Sequence, residues 1–117
     1  MPYDEKIAER VRRVLSGRSG MVEKKMMGGL AFTIGGGMCC SVSGRGGLLV
    51  RIAADAYERM LDQPHVQPMK MGRRVMRGFV RVAPEGYRTA KALGAWVTRG
   101  IDAVEARPAR ATRPRRR

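Results

Sequence analysis

The chain has 117 residues, which suits one domain, and 44% of them are apolar, too many for a wholly disordered polymer. Its 24 Lys and Arg against 10 Asp and Glu give a net charge of +14, a field that favours polyanions. The adjacent Cys39 and Cys40 are the sole cysteines, so no structural disulfide is expected. The charged start MPYDEKIAER does not resemble a signal peptide, and no apolar run approaches a membrane span. The expected setting is therefore the cytoplasm.

In chain order, residues 4–16 predict a helix. Ile7, Val11, Val14 and Leu15 fall on one helical face, Asp4 suits its N-cap and Gly17 its end. Residues 21–52 change character. Short apolar runs (VEKKMM, LAFTI, MCCSV, LLVRI) are separated by glycine clusters, the pattern of a β-meander. Leu30, Phe32 and Ile34 alternate, as do Met38, Cys40 and Val42, then Leu48, Val50 and Ile52. Each set can face one side of an antiparallel sheet, with Cys40 inward and Cys39 outward.

Residues 54–62 predict a short helix with Ala56, Tyr57, Met60 and Leu61 on its apolar face, stopped by Gln63-Pro64. Residues 69–83 return to strand, a brief Met69–Met71 followed by a run through Phe79, Val80 and Val82. From Thr89 to about Ala106 a third helix carries the stripe Leu93, Trp96, Val97, Gly100, Ile101 and Val104. The expected fold is α+β and two-layered, an antiparallel β-sheet with helices on one face, in the order α-β-β-β-α-β-β-α over residues 1–106. Aromatics are 5%, so the nine methionines are expected to help fill the core. Residues 107–117, RPARATRPRRR, hold six arginines and no large apolar group and are expected to be a disordered tail.

Chemistry is sparse. Two vicinal cysteines and the lone His65 do not make a zinc ligand set, so no metal and no cofactor is expected. Cys39 with His65 is the sole conceivable nucleophile and base, and neither has an orienting acid nearby in sequence. No catalytic residue is assigned, and a thiol-based redox sensor or enzyme using Cys39 stands as a further alternative. The clusters at Gly28-Gly29 and Gly35-Gly37 lack the spacing of a phosphate loop and read as hairpin turns. Any nucleic-acid contact would run through phosphates, with Arg107, Arg110, Arg113, Arg115, Arg116 and Arg117 as candidates.

The run Glu23-Lys24-Lys25-Met26-Met27-Gly28-Gly29-Leu30-Ala31-Phe32 resembles the signature of the TfoX N-terminal domain (TfoX/Sxy) family. Gly37-Met38-Cys39-Cys40-Ser41-Val42, Pro64–Met69, Met76–Val80 and Ala95-Trp96-Val97 agree with it. Met27 stands where the family usually has phenylalanine, and the basic run Met71–Met76 and the arginine tail depart from the pattern. The resemblance implies a bacterial, two-layer α+β domain whose full-length relatives regulate natural competence together with a cyclic-AMP receptor protein. It carries over no catalytic residue. In the signature, Met26, Gly28, Gly29, Phe32, Cys39, Cys40 and Trp96 read as structural, with Met26 and Phe32 in the core. Lys24, Lys25, Arg73 and Arg74 read as candidates for meeting a partner.

The functional expectation is a non-enzymatic regulatory or adaptor domain acting through a protein partner, a transcription factor being the kind implied. The alternative is a general basic nucleic-acid binder without sequence specificity. No membrane role is expected, and the chain is read as a monomer or homodimer.

Overall fold

A computed structural model describes residues 3–26 and 28–106. Met27 and the six arginines of residues 107–117 lie outside the described residues, as does the expectation of a disordered tail. The elements are α1 (Glu5–Leu15), β1 (Met21–Met26), β2 (Gly29–Ile34), β3 (Gly37–Val42), β4 (Leu48–Arg51), a 3-10 turn (Ala54–Ala56) leading into α2 (Tyr57–Leu61), β5 (Val66–Met71), β6 (Arg74–Val82), a 3-10 turn (Pro84–Tyr87) and α3 (Ala90–Glu105). The expected succession of helix, strands, helix, strands, helix holds. Residues 21–52 supply four strands where the expected order counts three, because VEKKMM pairs as a strand of its own.

The six strands form one antiparallel sheet in the order β1-β2-β3-β4-β6-β5. The pairing aligns residues in rows across it. Glu23, Phe32, Cys40, Val50, Val80 and Pro68 form one row, and Lys25, Leu30, Val42, Leu48, Val82 and Val66 another. The central members of both rows are buried with Val11, Leu15, Leu93, Trp96 and Val97 in a single core beneath the helices. Burying these side chains contributes roughly 1.5–3 kcal/mol each, the main favourable term.

The helix ends are fixed locally. The Asp4 carboxylate accepts from the backbone N–H of Lys6 (2.9 Å) and Ile7 (3.3 Å), and Thr89 Oγ1 accepts from Ala92 N at 3.0 Å. The α3 stripe is buried as its spacing predicts. On α1, Ala8 takes the buried place expected of Val14, which stays exposed. Arg12 donates to both Glu23 carboxylate oxygens, at 2.7 and 3.0 Å, and so ties α1 to β1. Trp96 Nε1 donates to Gly86 O at 3.2 Å, anchoring α3 to the turn before it.

Two irregularities shape the sheet. Phe32 opposes Cys40 while Thr33 opposes Met38, so Cys39 is an extra residue in β3. In the last hairpin Pro68 opposes Val80 but Lys70 opposes Val75, so β6 carries several extra residues around Gly78, whose φ is +99°. Such an insertion bends the strand that carries it, so the hairpin tip departs from the line of the rest of the sheet.

Candidate functional site: the bare face of the sheet

The bulge corrects the expected direction of the two cysteines. Cys39 is not outward. Like Cys40 it is fully buried, and its Sγ lies 3.7 Å from Val97 O of α3. The extra residue turns both side chains to the helix side and sends Met38 to the opposite face, where strict alternation would not place it. The thiols are free, and their pKa values shift in opposite directions. A hydrogen bond with Cys40 lowers the Cys39 pKa, partly offset by burial. The same bond, reinforced by burial, holds Cys40 well above the ordinary thiol value. His65 sits elsewhere, in the turn before β5 at φ 67°, where its carbonyl accepts from Ala83 N at 2.8 Å. Cys39 and His65 are therefore not brought together as nucleophile and base. Among the described residues no three His, Cys, Asp or Glu side chains cluster as metal ligands.

The other face of the sheet carries no helix. Its central row is Lys24, Ala31, Ser41, Leu49, Arg81 and Gln67. Small side chains at Ala31 and Ser41 leave a hollow, and around it lies an open pocket of about 330 Å³. Five methionines line it: Met26 from β1, Met38 from β3, Met69 and Met71 from β5, and Met76 from β6. β1 and β5 are opposite edges of the sheet, so Met26 and Met71 share a pocket because the sheet and its bent last hairpin curl toward this face.

The expectation that methionine helps fill the core holds for Met21 and Met60, which pack against it, and not for the five that line this pocket. Met69 is the one methionine of the five that is buried, while Met26 is 45% and Met71 41% exposed. Met26 in particular is not a core residue. It ends an edge strand on the side away from the helices. Phe32, by contrast, is fully buried in the core.

The partner candidates divide between this face and its surroundings. Lys24 is exposed in the central row, and Lys25, exposed too, points to the helix side of the edge strand. Arg73 and Arg74 are exposed at the tip of the β5–β6 hairpin, next to Gly72, which lines the pocket. Sequence reasoning missed Arg45, Lys70 and Arg81, which line it directly. Arg81 donates to Ser43 Oγ (3.0 Å) and Gly46 O (2.7 Å) and is held in place. The side chains of Lys24, Arg45 and Lys70 make no hydrogen bond or ion pair with any described residue. Arg51 lies over the Phe79 ring at 4.7 Å and donates to Met38 O at 2.7 Å, bracing the floor.

Two signature glycines lie in the chain between pocket-lining Met26 and Ala31. Gly28 turns β1 into β2 with φ +80°. A Cβ at Gly29 would collide with Val42 O and lie 3.2 Å from Gly44 N, so only glycine lets β2 start this close to the end of β3.

A family model described as the TfoX N-terminal domain matches residues 13–104. The chain belongs to the TfoX N-terminal domain family. No curated protein and no solved structure matches it. The matched span of this TfoX N-terminal domain covers the whole sheet, including every strand that lines the methionine pocket. No helix among the described residues is long and apolar enough to cross a membrane.

Proposed function

We propose that this TfoX N-terminal domain is a non-enzymatic regulatory adaptor that works in the cytoplasm by binding a protein partner in transcription control. The observation that carries the reading is the bare sheet face. A soluble domain rarely leaves a concave apolar surface uncovered without a use for it. Thioethers, alkyl groups and cations of one sign bind partners well and offer little for transforming a substrate. The two thiols, the chain's best nucleophiles, are sealed beneath α3. The competence role implied by the family resemblance is one form such regulation takes.

Direct nucleic-acid binding is the second reading, favoured by the cations of the same face. The methionines weigh against it as the main role, since a phosphate backbone offers them nothing to pack against. The test is genetic. Deleting the gene is expected to change a defined set of transcripts. A Lys24→Glu, Arg45→Glu variant, present at normal level, is expected to reproduce that change. Transcripts unaltered by the deletion would overturn the regulatory reading.

A further inference from the structure

We propose that the methionine pocket takes an acidic amphipathic segment of a partner protein, with its apolar side chains in the pocket and its carboxylates on the cationic rim. This rests on the partner-binding reading of the same face and names the chemistry of the partner.

Charge complementarity decides the occupant. The chain has ten Asp and Glu. All but one sit in the helices, their caps or the 3-10 turns. The exception, Glu23, faces α1 and is bound by Arg12 at 2.7 Å. The bare face thus carries no acid. It presents Lys24, Arg45, Lys70 and Arg81, of which the first three have no side-chain partner among the described residues. A basic or neutral segment would leave those charges unanswered, while carboxylates would gain charge-assisted hydrogen bonds around an apolar centre.

The floor sets the other half of the requirement. Flexible, polarisable methionines adapt to varied apolar side chains, and such surfaces accommodate related segments by repacking. A volume near 330 Å³ is at the small end of ligand pockets and is open to solvent. It therefore receives a few anchoring side chains from a longer segment. Met26 and Met71 on its rim expose further apolar surface to solvent. Anchors at i, i+3, i+4 and i+7 of an amphipathic helix match this arrangement.

The test uses the full chain and a fluorescein-labelled peptide of about 16 residues, with Leu at those helical spacings and Glu elsewhere. Three controls accompany it: the same composition with the apolar face dispersed, the same pattern with Lys for Glu, and mixed-sequence duplex DNA. Fluorescence anisotropy is expected to show binding of the acidic amphipathic peptide alone among the peptides. Arg45→Glu with Lys70→Glu should weaken it by about tenfold or more, and Met71→Glu by a similar factor. Because these side chains are at the rim, circular dichroism and the melting temperature of the variants should match the parent.

No binding, or equal binding of the dispersed or lysine peptide, overturns the proposal. So does DNA that displaces the peptide and is lost in the same variants, which makes the face a phosphate surface. A homodimer seen by light scattering and broken by Met71→Glu assigns the face to a second copy and overturns it as well. If the peptide fails while Lys24→Glu, Arg45→Glu still alters transcripts, partner binding stands and only the acidic occupant falls.

Discussion

Gly100 of α3 rests directly on Cys39 of β3. A Cβ at Gly100 would collide with the Cys39 carbonyl oxygen and approach its Sγ to 3.0 Å. The bulge that inserts Cys39 raises the strand just where the helix has no side chain, so bulge and glycine are two halves of one contact. Gly94, six residues earlier in the same helix, has nothing within 4 Å of its would-be Cβ.

The two glycines should therefore respond oppositely to the same change. Gly94→Ala is expected to stabilise the domain by about 0.5–1 kcal/mol, the ordinary gain of alanine over glycine in a helix. Gly100→Ala gains the same propensity but must lift α3 off the sheet. It is expected to destabilise by about 1–3 kcal/mol. Urea unfolding of both variants reads the difference, and equal stabilities would show that α3 is not seated on the bulge.

The cysteines behave as core residues. Neither is exposed, and Cys40 resists ionisation because of its hydrogen bond with Cys39 and its burial. Native protein is expected to react slowly with iodoacetamide at neutral pH, and both thiols should label once urea unfolds the chain. Fast native labelling of one thiol at Cys39 would revive the thiol-sensor alternative and contradict the packing beneath α3.

What the sequence disclosed follows from how each element carries its signal. The α3 stripe was legible because a 3.6-residue period runs undisturbed from Leu93 to Val104. Phe32, Val42 and Val50 were legible for the same reason at period two. Cys39 was not, because one inserted residue breaks the alternation and nothing local to MCCSV marks the break. The pocket was hidden for two reasons. Methionine reads as apolar in any register, so Met26 looked like core. The approach of β1 and β5, opposite edges, depends on curvature set by the irregular β6 around Gly78. Ala31 and Ser41, small residues on the non-core register, were the one sequence trace of the hollow.

The Arg12–Glu23 pair predicts a pH dependence. The Arg12 hydrogen bond holds the Glu23 carboxyl below its ordinary value of 4.5. A carboxyl depressed in the folded state contributes stability that is present above its unfolded value and lost as pH falls through the folded one. Both side chains are 31% exposed, so solvent screens the pair and its contribution is about 1 kcal/mol or less. Glu23→Gln is expected to lower stability by that amount at pH 7 and to match the parent once the pH is well below 4.5. A difference that persists unchanged into acid would assign the effect to packing and not to the charge.

The arginines of residues 107–117 and the cations of the bare face can be separated by salt. Binding of mixed-sequence duplex DNA is measured for the full chain and for a chain ending at Ala106. Removing six arginines is expected to reduce the slope of log affinity against log salt by up to about 5, at ~0.9 per neutralised phosphate. The shorter chain keeps Lys24, Arg45 and Lys70, a small number of cations around an apolar hollow. Its DNA binding near physiological salt is accordingly expected to be weak and indifferent to sequence. If it instead binds tightly, and Arg45→Glu with Lys70→Glu abolishes that binding, the folded domain reads DNA through this face and its regulatory action is direct. If binding disappears with the arginines, they act as a tether, and the methionine face is left for a protein.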